Sequence, residues 1–242
     1  MRIQLKKVFL ISLIVIFLGC DSKTNQKITI SKLKGSPSYS NSKITSVNLN
    51  KVENEFKFSF ELENYELGIQ TETEFDYHLA NSEKGQHIHF IINNEPYSAH
   101  YSETFSKKID EGNNLILAFL SRSHHESVKN QDAFIMTQIS DEPINLNNEF
   151  LFYSRPKGIY KGKDTEKVLL DFYLVNTEIS NNGNKIRATI DDTVFLIDEW
   201  VPYYIEGLAN GETQIKLELI DSNGNLIDTP FNPSIKTVTI EK

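Results

Sequence analysis

Gly85-Gln86-His87-Ile88-His89-Phe90-Ile91-Ile92-Asn93-Asn94 aligns without gaps on Gly183-Asn184-Lys185-Ile186-Arg187-Ala188-Thr189-Ile190-Asp191-Asp192. Further on, Gly112 followed by Ile116, Ala118 and Leu120 matches Gly211 followed by Ile215, Leu217 and Leu219. The two matches recur in the same order about one hundred residues apart, the usual size of one immunoglobulin-like sandwich. Within the copies, apolar and polar side chains alternate, which in an extended chain gives one buried face and one wet face. Phe56, Phe58, Phe60 and Leu62, separated by Lys57, Ser59 and Glu61, show the same period. Turn residues at Asn93-Asn94, Gly112-Asn113, Asn182-Gly183 and Asn223-Gly224 punctuate the runs. No stretch carries a helical period with caps. The pattern predicts an all-β chain of two tandem immunoglobulin-like β-sandwich domains, over residues 28–153 and 154–242. The boundary is expected at Ser154-Arg155-Pro156-Lys157-Gly158, and Ile28, Ile30 and Leu33 are expected to form a short edge strand of the first domain.

Ahead of the sandwiches, Arg2, Lys6 and Lys7 precede the apolar run Val8–Leu18, then Gly19 and Cys20. A basic segment, a short apolar core and a small residue before the cut describe an export signal. Cysteine in the next position is what a bacterial lipoprotein signal peptidase reads. Residues 1–19 are therefore expected to be removed and Cys20 to carry lipid, with 20–27 as a polar tether. The expected location is the cell envelope, anchored to a membrane (the outer membrane above all), facing the periplasm or the cell surface.

Removing residues 1–19 takes away three cations and no anion, which moves the formal charge from −8 to −11. An acidic body lacks the Lys and Arg needed to neutralise phosphates, so nucleic acid is excluded as a partner. Cys20 is the only cysteine, so with its thiol lipidated no disulfide can form and burial must hold the fold.

All six histidines, His78, His87, His89, His100, His124 and His125, fall in the first half. His87 and His89 are two apart on an expected strand, so both rings leave the same face. The internal alignment puts His124 and His125 near the turn that Ser222-Asn223-Gly224 forms in the second copy. If those strand ends are neighbours, three or four imidazoles converge into a Zn or Cu site, with Glu126 beside it. The second copy has Lys185 and Arg187 in place of His87 and His89, and a solvated strand face accepts His as readily as Lys. The alternative is an interaction module for a glycan or an envelope protein, using Arg155 and Lys157 of the expected linker and the aromatic group Trp200, Pro202, Tyr203 and Tyr204.

Catalysis is not expected. Ser121-Arg122-Ser123-His124-His125-Glu126 brings Ser, His and Glu together, but neighbours on one strand point to opposite faces and no Gly-x-Ser-x-Gly elbow exists. Gly158–Thr165 is one residue short of a phosphate loop between its glycines, and Asp164 stands where Ser or Thr would hold Mg²⁺. Asp171 interrupts the apolar run Val168–Val175, and alternation would turn it to solvent.

Asn64-Tyr65-Glu66-Leu67-Gly68, Gly85–Phe90, Pro96-Tyr97, Leu120–Ser127, Phe152–Gly158 and Leu169–Tyr173 are stretches in which the chain resembles a group of uncharacterised lipoproteins from Bacteroidota. The resemblance spans most of the chain after Cys20. It implies lipid anchoring and an all-β body, and brings no activity with it. Such groups are sometimes labelled phosphopeptide-binding, as forkhead-associated domains are. Ser121-Arg122-Ser123-His124 and Ser222-Asn223-Gly224 echo that family's motifs, but lie about a hundred residues apart instead of within one domain.

Overall fold

The computed structural model describes residues 27–242; the expected leader, Cys20 and the expected tether up to residue 26 lie outside the described residues. The strands are β1 (Thr29–Lys32), β2 (Lys43–Val52), β3 (Glu55–Glu63), β4 (His87–Ile92), β5 (Ser98–His100), β6 (Thr104–Lys107), β7 (Asn114–Ser121) and β8 (Phe134–Ile139). They continue as β9 (Phe150–Arg155), β10 (Ile159–Lys161), β11 (Val168–Val175), β12 (Lys185–Ile190), β13 (Thr193–Ile197), β14 (Tyr203–Glu206), β15 (Gly211–Ile220) and β16 (Ser234–Glu241). In the first sandwich the sheet β2-β3-β6 faces β5-β4-β7-β8. In the second, β9-β11-β14 faces β13-β12-β15-β16, with β1 added beside β14 and β10 beside β16. Both sandwiches therefore use one strand order, and the chain is all-β as its alternation predicts.

The internal repeat holds down to single hydrogen bonds. Ile92 pairs with Ile116 in the first copy, and Ile190 with Ile215 in the second. Asn93 N–H donates to Leu115 O at 2.9 Å while Leu115 N–H donates to Asn93 Oδ1 at 2.8 Å. Asp191 and Gln214 repeat both bonds, at 2.8 and 2.9 Å. Asn and Asp suit this position because both residues stand at positive φ, 50° and 47°, where a short polar side chain can bond the neighbouring backbone.

Two features depart from the expected boundaries. Ser154 and Arg155 are the last residues of β9 rather than linker, because Phe150–Tyr153 is an unbroken apolar run that needs sheet on either side. β1 pairs antiparallel with β14, so the strand assigned to the first half extends the second half's sheet. Gly158–Thr165 forms no phosphate cradle: Ile159–Lys161 pairs parallel with β16, and a 3-10 turn follows.

Each sandwich has its own core. Phe58, Phe60, Ile88, Phe90 and Leu120 fill the first, and Leu170, Phe172, Ile186, Ile215 and Leu217 the second. Between the two lies a third apolar layer. Ile91, Leu115, Leu117 and Phe119 on the outer face of β4 and β7 meet Phe150, Phe152, Tyr173 and Val175 of β9 and β11. Phe119 and Tyr173 stack with centroids 4.5 Å apart. Every residue of β7, β9 and β11 is buried as a result. Asp171, expected at solvent, is wholly buried in this seam, where it accepts from Ser127 N–H at 3.2 Å and from Ser127 Oγ and Lys129 Nζ. The chain crosses the seam once more between β1 and β2, where Arg122 donates to Pro37 O and Ser36 to Glu126.

Because one apolar layer serves both sandwiches, they are expected to unfold together. Phe119→Ala should cost about 3–5 kcal/mol and leave a single denaturant transition. Two separate transitions, with only one moved, would contradict the shared layer.

Candidate metal centre

Side-chain parity on β4 decides where the histidines go. Ile88 and Phe90 point into the first sandwich, so His87, His89 and Ile91 point the other way, into the seam. Their counterparts Lys185, Arg187 and Thr189 occupy an outer face, and Arg187 bonds Glu218 there at 2.8 and 2.9 Å. The histidine face is thus not a wet face. His87 and His89 are fully buried.

The third imidazole arrives through the repeat's turn. Arg122 N–H donates to Glu126 O and His125 N–H to Arg122 O; Asp221, Asn225 and Gly224 make the same pair of bonds in the second copy. Gly224 takes φ 85° in that turn, and His125 stands at φ 68° in the equivalent place. A non-glycine residue there carries backbone strain. The strained turn swings the His125 ring over β4, which brings one nitrogen each of His87, His89 and His125 to within 4.8 Å of one another. His89 Nε2 is 2.9 Å from His87 Nε2, and His125 Nδ1 is 3.1 Å from it. Nitrogens bound at ~2.0–2.1 Å to a tetrahedral ion lie about 3.3 Å apart, so small ring movements would seat one.

Second partners fix the rings. His87 Nδ1 is 2.8 Å from Gly85 O, and since a carbonyl only accepts, Nδ1 holds the proton and Nε2 presents a lone pair. Gly85 is required for this hold: it has φ 82°, and a Cβ there would stand 2.3 Å from Ile69 O. His89 Nδ1 meets Ser154 Oγ at 3.3 Å, a contact across the seam. Tyr97 stacks on the His89 ring at 3.6 Å, and its hydroxyl reaches His125 Nδ1 at 3.3 Å.

The remaining predicted residues divide clearly. His124 does not join the cluster: its Nε2 faces Glu126 Oε2 at 2.9 Å, in a buried group with Arg122. Burial pushes the Glu126 carboxyl up, but the His124 hydrogen bond and the Arg122 charge outweigh it and hold it below the usual value. Ser121 Oγ contacts only backbone carbonyls, at 3.4 and 3.5 Å, so no nucleophile pairs with a base in this segment. Arg155 is buried, with its guanidinium over the Tyr97 ring at 5.2 Å and Nη1 donating to Tyr160 Oη at 3.1 Å. Lys157 lies over the same ring at 4.2 Å. Arg155 is therefore enclosed beside the histidines, while Lys157 stays half-buried at the edge of the same cluster. Tyr203 is buried and donates to Glu199 O at 3.0 Å, which removes it from any aromatic surface; Trp200 stays half-buried. Sequence reasoning missed Tyr97, which the β4–β5 turn lays over His89, and Ser154, which the packing of β9 against β4 supplies.

Burial, with Arg155 nearby, keeps all three imidazoles neutral. The pKa of His87 is lowered from 6.5 to about 4, chiefly by burial. His89 is also pushed well down, first by burial and then by His87 and His125, and His125 by burial and then by Arg155 and His87.

No family model matches this chain, and no curated protein matches it. Among solved structures it is similar to the fibronectin(III)-like modules of Clostridium thermocellum CbhA, at 9% identity and TM-score 0.30, covering 81% of this chain and 94% of that one. It is also similar to a two-domain fibronectin type-III segment of chicken tenascin, at 8% identity and TM-score 0.23, covering 81% and 98%. The sandwich description rests on this chain's own ladders and repeat.

Acid should destabilise the metal-free protein through this cluster. Below pH 6.5 the unfolded imidazoles bind protons that the folded ones refuse. Stability is thus complete above about pH 6.5, and falls towards pH 4 as His87 reaches its folded value, and further for the other two. Each neutral histidine contributes about 1.4 kcal/mol per pH unit in that window. Urea melts between about pH 7 and pH 5 should show this slope, and His89→Gln should reduce it by about one proton. An unchanged slope in the variant would contradict a neutral, buried His89.

Proposed function

We propose that this chain is a non-enzymatic lipoprotein of the cell envelope, anchored through lipid on Cys20, that holds one Zn or Cu ion through His87, His89 and His125. The observation that carries the reading is the convergence of three neutral imidazoles from two separated segments, two of them fully buried in the seam and His125 partly so. The basic start, the apolar run and Cys20 support the anchor.

Donor chemistry narrows the ion. Three imidazoles without a carboxylate or thiolate suit late transition metals and not Ca²⁺ or Mg²⁺, which need oxygen ligands. Entry requires no net proton release at neutral pH, because the rings are already uncharged. A shift of the His89 proton to Nδ1, where Ser154 Oγ accepts it, frees Nε2 for the ion. Arg155 and Lys157 repel an incoming cation, so the site favours ions that bond strongly to nitrogen over those held by charge alone.

Titration of full-length protein with Zn²⁺ and Cu²⁺ tests this. One equivalent should bind and raise the melting temperature, and His87→Ala/His89→Ala should abolish both effects. Lys157→Gln should tighten binding several-fold by removing a repelling charge. Loss of binding in Lys157→Gln, or uptake unaffected by the double substitution, would overturn the assignment.

A further inference from the structure

A cleft of about 890 Å³ opens along the seam towards the Phe150 and Val175 end, lined by the loop before β8, the end of β11 and the loop after it. Its chemistry is mostly that of acceptors, the exposed Gln131 amide being the exception. Asn176 Nδ2 donates to Leu146 O and Asn148 O at 2.7 and 2.9 Å, and Asn184 Nδ2 donates to Glu149 Oε1 and Thr177 Oγ1 at 2.9 and 3.2 Å. Thr177 Oγ1 donates to the same Glu149 oxygen at 2.6 Å, and Lys129 is spent on Ser127 and Asp171. These lining donors turn into protein. What they leave for a visitor are acceptors: Glu149 Oε2 and the amide oxygens of Asn176 and Asn184.

Trp200 adds a flat apolar face. Its Nε1 donates to Phe172 O at 3.0 Å and its ring packs edge-on against Tyr173 at 5.0 Å, so the half-buried indole is fixed before any ligand arrives. A ligand that fits both features offers many hydroxyl donors around a slightly positive C–H face, and carries no negative charge to meet Glu149 and Glu178. We infer that this cleft binds a neutral, hydroxyl-rich carbohydrate, stacked on Trp200 and hydrogen-bonded to Glu149, Asn176 and Asn184. The inference is independent of the metal site, because none of the three histidines lines the cleft.

Trp200 is the only tryptophan in the chain, so its fluorescence reads this cleft alone. Full-length protein would be titrated with cellotetraose, mannotetraose and chitotetraose, and with a sulfated tetrasaccharide and tri-lysine for comparison. A saturable change with at least one neutral sugar, and none with the sulfated one, is expected. Glu149→Gln should weaken that binding about tenfold. Trp200→Phe, followed by calorimetry, should also weaken it by about fivefold or more while retaining a cooperative melt. No saturable change with any neutral sugar up to about 10 mM would overturn the inference. So would a response to tri-lysine alone, or affinity unchanged in both variants.

Discussion

Burial of the outer face of β4 and β7 against β9 and β11 is the constraint on which the rest of the structure depends. The Phe119–Tyr173 stack and its neighbours join two sandwiches that share one strand order into a single four-sheet body. That layer removes water from the side of β4 that carries His87 and His89. It places Ser154 beside one ring and Arg155 near all three. An isolated first sandwich would open that face of β4 to solvent and relieve part of the desolvation that keeps the imidazoles neutral.

The repeat shows how the two copies diverged on a common backbone. The Asn93 and Asp191 turns keep the same bonds, as do the turns at Arg122–Glu126 and Asp221–Asn225. Only the exposure of one strand face differs. Where that face meets solvent it carries Lys185 and Arg187, paired in part with Glu218. Where it meets the seam it carries imidazoles, which are smaller in polarity when neutral and can be desolvated at moderate cost. His125 takes the place of Gly224 in the turn, accepting backbone strain to put a ring over β4.

Alternation and the repeat were enough to read the sandwiches and the shared face of His87 and His89. The seam was also written in the chain, in a different signal. Leu115–Leu120 and Phe150–Tyr153 are continuous apolar runs, and Val168–Val175 is one broken only by Asp171; such runs belong to strands buried on both faces. Reading only the alternate residues of these runs hides the second burial, and with it the surroundings of Asp171 and Arg155. The separation of His125 from His124 was not legible, because it depends on a left-handed residue in a turn rather than on any pattern of residue types. Ser154 was equally hidden, since it meets His89 only through contact between distant segments, and Tyr97 because its stack depends on the path of the short β4–β5 turn.

The account joins burial, neutrality and convergence into one state of three rings, and nitrogen-15 NMR of the imidazoles reports all of these together. In metal-free protein between about pH 7 and pH 5.5, His87 should show the Nδ1–H tautomer, and none of His87, His89 and His125 should acquire charge. Added Zn²⁺ should then move the signals of all three at once. Three rings that protonate near pH 6.5, or a zinc response confined to one of them, would contradict the account.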